Sequence, residues 1–302
     1  MRLFCYALVA AAMALGGTAA NAACTLTSFE VANGQIFATY DPFDSSANPV
    51  TVRLSSSGTG DCAGDRVSLI LEADPSTPFA VDGTIQLRAG SYTLVARLGD
   101  STGRALGNLF SGGRANASLH LGATGEIRAG DLTLLLSPGQ QVPPGTYSAR
   151  LIATATVQDN DGGEGTARQT PFSIAVTVVP AVGLAAGSGT TLDLGTIHDG
   201  GSAEQPVSFR AYANTAYRLK LTSDHDFALT QNGTKNGARI AYVPMLGQQP
   251  VTPDAAGIPF SDPGSSGSRQ HVLNVTVPHV GRAPAGSYGD YITVEISADV
   301  AG

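Results

Sequence analysis

The stretch PAGSYGDYITVEIS, residues 284–297, joins a turn to a strand and is the pattern from which we infer the fold. Proline and glycine favour a bend, after which Ile292, Val294 and Ile296 alternate with polar residues as in a half-buried strand. An earlier stretch, PPGTYSARLIATATV at residues 143–157, repeats this turn chemistry and alternation. A second strand-like run follows the earlier copy, whereas only five residues follow the later one. The sequence therefore predicts two related β-domains, of which only the first completes its sheet.

Composition favours an all-β protein of two domains. A chain of 302 residues is long enough for two domains of ordinary size. Its 37 glycines and its short apolar runs are typical of a fold with many strands and turns. The net charge of −7 argues against nucleic acid as a partner, because phosphate binding requires clustered lysine and arginine.

Residues 1–23 have the features of a secretory signal peptide. Arg2 supplies the positive charge, residues 3–15 are mostly apolar, and an A-x-A site predicts cleavage after Ala22 or Ala23. The apolar core is too short for a transmembrane helix. A lipoprotein interpretation of Cys24 remains an alternative, although the usual upstream leucine is missing.

Two cysteines, Cys24 and Cys62, remain after cleavage, because Cys5 lies in the signal segment. An even pair in an exported chain predicts one disulfide. Closing a loop of roughly forty residues stabilises a fold by about 3–4 kcal/mol in the loop-entropy treatment. We therefore expect a structural disulfide between Cys24 and Cys62.

The strand pattern divides the exported chain into two tandem immunoglobulin-like β-sandwiches. Residues 24–180 form the predicted N-terminal domain, residues 181–190 a linker of small uncharged side chains, and residues 191–302 the C-terminal domain. Residues 55–64 are predicted to be a Ser/Gly loop, and residues 192–198 are predicted to repeat an early strand of the first domain. The second domain is expected to lack its last strand.

These features together resemble the spore coat protein U domain family, which includes subunits of archaic (Csu-type, or sigma) chaperone–usher pili. The resemblance rests on a cysteine after the signal, the stretch FATYDP at residues 37–42, and a second cysteine roughly forty residues on. It also rests on a closing Pro-x-Gly-x-Tyr-x-Asp pattern, complete at residues 284–290. The chain departs from the family pattern at Ala38 and at Ala149, where the family has glycine and aspartate.

The resemblance implies assembly by strand donation. In this family a periplasmic chaperone first lends the missing strand, and the N-terminal extension of the next pilin subunit then replaces it. By this resemblance Tyr291, Ile292, Val294 and Ile296 are the expected donor-strand acceptor edge. The implied partners are the chaperone, an outer-membrane usher, the next pilin subunit, and an abiotic or host surface.

Cleavage beside Cys24 is expected to leave no donor segment ahead of the first domain. The hypothesis is therefore a tip adhesin, exported through the periplasm to the pilus tip at the cell surface, where it mediates surface attachment and biofilm formation. Two alternatives stay open: a minor structural or adapter pilin of the same system, and an exported carbohydrate-binding or enzymatic sandwich protein.

The candidate surface-binding residues are Leu106, Leu109 and Phe110, with Phe79 as a weaker one. The first three lie in residues 105–113, the most apolar of the predicted loops, and Phe79 lies in a second segment, residues 78–81. The alternative for both segments is that these are core strand residues.

No pattern in the sequence indicates catalysis, a cofactor or a metal. The stretch DNDGGE at residues 159–164 lacks the spacing of a calcium loop and is better interpreted as a hairpin turn. The triplet Asp224-His225-Asp226 is likewise better interpreted as a polar turn than as a metal or acid–base cluster. The histidines lack zinc-ligand spacing, and no nucleophile elbow, phosphate loop or zinc-protease motif occurs. We therefore expect a protein that is not an enzyme.

Overall fold

The computed structural model describes most of the chain between residues 23 and 299. The described ranges are 23–31, 34–44, 49–73, 84–99, 114–128, 132–158, 164–185, 191–234, 236–252, 256–264 and 267–299. Their regular structure consists of strands, and no helix within these ranges is long and apolar enough to cross a membrane. The all-β prediction is confirmed.

Most strands of the described N-terminal half alternate between buried and exposed side chains, as expected for sandwich layers. They are β1 (Thr25–Val31), β2 (Gln35–Tyr40), β3 (Val50–Val52), β4 (Leu54–Thr59), β5 (Arg66–Ala73), β6 (Thr84–Ala89), β7 (Tyr92–Gly99), β8 (Arg114–Leu121), β9 (Ile127–Arg128), β10 (Leu132–Leu136), β11 (Gly145–Gln158) and β12 (Glu164–Val178).

The described C-terminal half continues in the same way. Its strands are β13 (Val182–Ala185), β14 (Ala203–Ala213), β15 (Tyr217–Ser223), β16 (Ala228–Gln231), β17 (Arg239–Ala241), β18 (Val243–Leu246), β19 (Gln249–Pro250), β20 (Ile258–Phe260), β21 (Ser268–Val277), β22 (Tyr288–Gly289) and β23 (Ile292–Ala298).

In the N-terminal half, one sheet runs in the order β3-β10-β7-β6-β11-β5-β8-β9, and β1 pairs with β4 separately. The strand β12 joins the large sheet beside β11, antiparallel to it, and pairs on its other side with β2 in parallel. The strand β12 therefore lies between β11 and β2, and its inward side chains complete the core.

The C-terminal half contains three smaller sheets. Their orders are β13-β14-β21-β18-β19, β20-β15-β23 and β17-β16-β22. The strand β23 is antiparallel to β15 and stands at the edge of its sheet. In the first half, β12 pairs with the corresponding edge of β11.

Both copies of the Pro-x-Gly-x-Tyr pattern form the same turn. The hydroxyl of Tyr147 donates to the carbonyl of Pro143 at 2.9 Å, and that of Tyr288 donates to the carbonyl of Pro284 at 2.7 Å. A tyrosine that bonds back to the backbone just upstream is a known corner of immunoglobulin-like sandwiches. The repeat seen in the sequence thus has one physical role in both halves.

The predicted disulfide is confirmed. Cys24 and Cys62 are joined with an S–S distance of 2.06 Å and a Cα–Cα distance of 4.7 Å. Both cysteines are buried in the N-terminal core. Because Arg66 pairs with Gln158, this disulfide lies near the pole at which β11 ends and β12 begins.

Several boundaries differ from the sequence prediction. Residues 55–59 of the predicted Ser/Gly loop belong to β4 (Leu54–Thr59), which pairs with β1. Residues 182–185 of the predicted linker form β13, which pairs with β14 in the second half. Residues 192–198 are outside regular strand structure although a strand was predicted there. The division into 24–180, 181–190 and 191–302 otherwise stays a prediction.

The two halves meet around one buried side chain. The amide of Asn214 donates to the carbonyls of Val142 and Val179, at 3.3 Å and 3.0 Å. Its oxygen accepts from the backbone N–H of Ala181 at 2.8 Å. The ring of Phe43 also packs edge-on against that of Tyr212, with centroids 6.2 Å apart. Asn214 therefore connects the segment between β12 and β13 to both halves.

Candidate functional site

The candidate site begins at β23, whose apolar residues are only half covered. Ile292, Val294 and Ile296 point toward the C-terminal core and alternate with more exposed neighbours. On one side β23 is bonded to β15, with Val294 opposite Leu221. No described strand pairs with its other side. Tyr291, predicted together with these residues, precedes β23 and is 76% exposed.

A second rim faces the same core from residues 191–198. Leu192 and Leu194 are half-buried against the core, whereas Asp193 and Gly195 between and after them are exposed. This alternation is that of a strand, yet the segment takes part in no described ladder. Its side chains alternate between buried and exposed as in a strand, but its backbone is not paired with another described strand.

The N-terminal half shows what occupies this place when the fold is complete. Aligning the two sequences at Tyr147 and Tyr288 matches β11 with residues 286–299, so that Leu151 corresponds to Ile292. The strand β2 corresponds to the segment beginning at Leu192. Between β11 and β2 lies β12, whose four inward side chains are buried: Phe172, Ile174, Val176 and Val178.

Burial differs accordingly between the two cores. Among the described residues, the N-terminal core has 32 buried members and 5 partly buried ones. The C-terminal core has 14 buried members and 15 partly buried ones. Protein interiors are normally close-packed, so a core with as many half-covered as covered members is an open one. Covering each half-exposed Val or Ile would contribute roughly 1 kcal/mol.

The inner wall of this open core comes from β14. Val207 and Phe209 are half-buried on its inward face, against the same core as Leu192 and Leu194. Together with β23, these segments supply the half-covered apolar side chains of this core, a set that we call the β23 groove: Leu192, Leu194, Ile197, Val207, Phe209, Ile292, Val294 and Ile296.

Asp290 holds the start of β23 in place. Its carboxylate accepts hydrogen bonds from the Ser223 hydroxyl at 2.6 Å, from the Tyr242 hydroxyl and from the backbone N–H of Tyr291 at 2.8 Å. Burial, and then the hydrogen bond and charge of Asp290, raise the pKa of Tyr242 above its ordinary value. The phenol therefore stays protonated and donates.

The Asp290 cluster also shapes the turn that follows β15. The Ser223 hydroxyl accepts from the backbone N–H groups of His225 and Phe227, at 3.1 Å and 2.7 Å. Asp226 and Phe227 have φ angles of 54° and 55°, in the left-handed region that few residues adopt. The Asp224–His225–Asp226 triplet thus lies in a turn. Sequence reasoning missed the role of Asp290, although the motif aspartate was the available signal.

A buried histidine lies at the end of the core that is nearer the N-terminal half. His271 Nε2 is 2.7 Å from the hydroxyl of Tyr217, and Phe209 and Phe260 pack against its ring. Burial lowers the pKa of His271, and the positive charge of Arg269 adds to the effect. The imidazole is therefore held in its neutral form.

The remaining predicted site residues lie elsewhere. Leu106, Leu109, Phe110 and Phe79 fall outside the described residues, as does most of the DNDGGE stretch. Among the described residues, no group of three or more His, Cys, Asp and Glu side chains could hold a metal ion. The geometry defines a two-sandwich protein with one closed core and one open core.

Comparisons with known proteins give similarities of fold. The tip adhesion subunit of the CsuC–CsuE chaperone complex from the archaic Csu pili of Acinetobacter baumannii has 17% identity and a TM-score of 0.48, and the match covers 91% of this chain and 99% of that one. CfaE, the adhesive subunit of CFA/I fimbria of enterotoxigenic Escherichia coli, has 14% identity and a TM-score of 0.37, covering 89% and 94%.

The CupB6 tip adhesin of Pseudomonas aeruginosa is similar at 12% identity with a TM-score of 0.33, covering 82% of this chain and 86% of that one. Similarities at this level do not assign a function. No family model matches the chain, and no curated protein matches it. The resemblance to the spore coat protein U domain family therefore stays a prediction.

Proposed function

We propose that this protein is the tip adhesin of an archaic chaperone–usher pilus, and that its C-terminal half accepts a donor strand from the next subunit. The observation that carries the proposal is the contrast between the two halves. In the first half, β12 lies between β11 and β2 and buries four apolar side chains there. In the second half, no described strand pairs with the outer edge of β23 or with residues 191–198, and the inward apolar side chains of both are half-covered.

An open groove with strand edges is suited to strand addition. Backbone N–H and C=O groups along an edge strand pair readily with another extended chain, and alternating apolar pockets select its side chains. The occupant should therefore be an extended peptide with apolar residues at every second position, as in the sequence Phe172–Ser173–Ile174–Ala175–Val176 of β12.

The internal template also gives the direction of the donor. The strand β12 is parallel to β2 and antiparallel to β11. A donor placed in the same way runs parallel to residues 191–198, which lead away from β13 and the N-terminal half. Its C-terminal end then emerges at the pole opposite that half. A subunit that follows its own donor peptide would consequently be seated at this pole.

This polarity leaves the N-terminal half at the free end of the fibre. Its core is closed by β12 and cross-linked by the Cys24–Cys62 disulfide, so it needs no external strand for its fold. Surface attachment is accordingly proposed for this half, whereas the chaperone, the usher and the neighbouring pilin engage the C-terminal half.

A peptide experiment tests the proposal. The full exported chain is titrated with a synthetic peptide of residues 170–179, TPFSIAVTVV, and thermal unfolding is recorded. The matched control is the same peptide with aspartate in place of Ile174 and Val176. We expect the first peptide alone to raise the unfolding temperature of the C-terminal half, because a ligand of the folded state stabilises it by about 2.7 kcal/mol at one hundred times its Kd.

The contrary result is equally clear. If the C-terminal half unfolds at the same temperature with either peptide, and as cooperatively as the N-terminal half, then the groove does not accept a strand. N-terminal sequencing of the exported protein separates the tip role from an adapter role. A tip subunit is expected to begin at Cys24 or one residue before it, whereas an adapter requires a donor-length segment ahead of it.

A further inference from the structure

The strand β2 forms a free edge of the closed N-terminal half. One side of β2 pairs with β12 at six successive positions, from Gln35 opposite Ser173 to Tyr40 opposite Val178. No described strand pairs with its other side. The free side of an edge strand presents backbone N–H and C=O groups with which another extended chain can pair. This edge belongs to the half whose core is complete, and it is separate from the β23 groove.

The backbone of β2 shows which residues point to the free side. The carbonyl of Tyr40 accepts a hydrogen bond from the N–H of Val179 at 3.1 Å, so the peptide groups of Tyr40 point toward β12. Peptide groups alternate in direction along a strand, and those of Gln35, Phe37 and Thr39 therefore point away from β12. Among the described residues, the N–H and C=O groups of Phe37 and Thr39 have no hydrogen-bond partner.

The strand β2 lacks the features by which edge strands are usually protected from pairing. Its sequence, QIFATY, contains no charged residue and no proline, and its pairing with β12 contains no bulge. Other described edges of this half are shorter, as are β3 and β9, or are already contacted. On β1, the carbonyl of Leu26 accepts from Nε of Arg168 at 2.9 Å, and on β4 the N–H of Gly58 donates to the carbonyl of Thr124 at 2.8 Å. The edge of β2 is therefore the one best suited to pairing.

Phe37 adds an apolar contact to these backbone groups. It is 69% exposed, whereas Ile36 and Tyr40 on the other face of β2 are buried. Gln35 and Thr39 lie on either side of it on the exposed face. A single exposed aromatic side chain is common on protein surfaces, but here the same residue also has unpaired backbone groups. Phe37 thus offers both the hydrogen bonds and the side-chain contact of a strand pair.

The sequence of β2 is complementary to itself in one antiparallel register. When two copies meet with Phe37 on a twofold axis, the two Phe37 residues face each other and each Gln35 faces Thr39 of the second copy. These residues carry their side chains on the exposed face and their peptide groups on the free side, so one register pairs both. Facing aromatic side chains are favourable cross-strand pairs. On the inner face, Ile36 lies opposite Ala38, and both are apolar.

We propose that β2 is a dimerisation edge, at which two copies of this protein pair their β2 strands antiparallel with Phe37 on the twofold axis. A second copy fits better than an unrelated peptide because the register is self-complementary. The edge also has no charge that would repel its copy, although the whole chain carries −7. The contact uses the one free side of β2 in each copy, so this assembly stops at the dimer. A contact of six residues per copy is small, and we expect a dimer that dissociates on dilution.

Analytical ultracentrifugation of the full exported chain over a range of concentrations tests the proposal. We expect a rise from monomer to dimer with concentration and no larger species. Phe37→Lys and Phe37→Glu should each weaken the dimer at least about tenfold, because two like charges then face each other on the axis. An equimolar mixture of these two variants should dimerise again, because opposite charges then meet.

The matched control is Tyr92→Lys, which introduces the same charge at another exposed aromatic residue, on β7. We expect this variant to dimerise like the parent protein. A parent chain that stays monomeric at its highest soluble concentration would overturn the proposal. Equal losses for Tyr92→Lys and Phe37→Lys would also overturn it, because association would then follow overall charge. A mixture of Phe37→Lys and Phe37→Glu that stays monomeric would overturn the placement of Phe37 on the axis.

Self-association through the β23 groove is distinguished by Val294→Asp, which should leave the β2 dimer intact. Loss of the dimer in Val294→Asp together with its persistence in Phe37→Lys would assign the contact to the groove and contradict the proposal.

The dimer does not rest on the proposed function, and the two fail separately. A chain that dimerises through Phe37 but ignores the TPFSIAVTVV peptide keeps the dimer and loses its strand-acceptor role. A chain that responds to the peptide but stays monomeric keeps that role and loses the dimer. For a protein at the tip of a fibre, pairing of β2 would join the tips of two fibres.

Discussion

At the scale of single residues, the chemistry of the C-terminal half is concentrated at Asp290. One carboxylate receives bonds from Ser223, Tyr242 and the N–H of Tyr291, and so ties β15, the segment before β18 and the start of β23 together. The first half has Ala149 at the equivalent position, where it is buried in the N-terminal core. The hydrogen bonds of this aspartate are therefore a feature of the open half and not of the closed one.

Asp290→Ala is expected to destabilise the C-terminal half by about 2–4 kcal/mol, because it leaves the buried Tyr242 hydroxyl without its acceptor. Urea unfolding checks this. Asp299→Ala is the matched control, since Asp299 makes a partly exposed ion pair with Arg218 at 3.2 Å. That ion pair should contribute less than about 1 kcal/mol. Similar losses for the two variants would contradict the role assigned to Asp290.

His271 makes the stability of the same half depend on pH. Its pKa is lower in the folded state than in the unfolded state, so the unfolded chain binds a proton more readily. The stabilisation is complete above the unfolded pKa of about 6.5 and is lost as the pH falls below it. Protonation would place a charge between Phe209 and Phe260, near Arg269.

We therefore expect the free energy of unfolding of the C-terminal half to fall as the pH is lowered through about 6.5. His271→Gln should remove most of this fall while keeping a polar partner for Tyr217. His198→Gln, at an exposed position, should leave it unchanged. A fall of the same size in the His271→Gln protein would assign the pH dependence to other groups.

At the scale of secondary structure, the two faces of β23 have different roles. Val294 points into the groove, whereas Thr293 points outward. Val294→Asp should abolish stabilisation by the TPFSIAVTVV peptide, because a carboxylate would be buried beneath the bound strand without a partner. Thr293→Asp places the same charge on the next residue and should preserve the peptide effect. Thermal unfolding with and without the peptide distinguishes the two variants. If the peptide stabilises neither variant, the groove does not depend on the inward face of β23.

Sequence patterns located the strands whose side chains alternate or are uniformly apolar. The strand β23 (Ile292–Ala298) matches the alternating stretch that was predicted to be a strand, with Ile292, Val294 and Ile296 on its inward face. The sequence of β4, LSSSGT, has the composition of a loop, and its pairing with β1 depends on a contact distant in sequence. The strand β13 is missed for the same reason. Strand formation depends on the partner more than on the segment itself.

Residues 192–198 show the opposite error. Leu192 and Leu194 alternate as in a strand, so a strand was predicted, yet no described strand pairs with this segment. The alternating side chains show that the segment can form a strand. Its backbone has no neighbouring strand with which to form hydrogen bonds. In the proposed function, that partner is the donor peptide.

At the scale of the whole molecule, the relation between the halves depends on Asn214. No sequence pattern indicates this residue, because its three partners are backbone groups of Val142, Val179 and Ala181, distant in the chain or on the other half. The open groove could be predicted from the comparison of the two repeats. The junction and the hydrogen bonds of Asp290 join segments that are distant in the sequence, so no local pattern indicates them.

Asn214→Ala is expected to widen the distribution of angles between the two halves, since three backbone groups lose their partner. Distances between fluorophores on the two halves measure this. Asn274→Ala, on β21 and away from the junction, is the control and should leave the distribution narrow. An unchanged distribution in the Asn214→Ala protein would mean that the short connection and the contact of Phe43 with Tyr212 fix the angle between the halves without Asn214.

The central claim is that β23 and residues 191–198 are the two rims of a groove that an added strand completes. Hydrogen exchange of the full exported chain, with and without the TPFSIAVTVV peptide, tests it most directly. We expect both rims to exchange faster than β11 and β2 in the free protein, and to become protected together when the peptide binds. Rims already as protected as β11 and β2, and unchanged by the peptide, would contradict the claim.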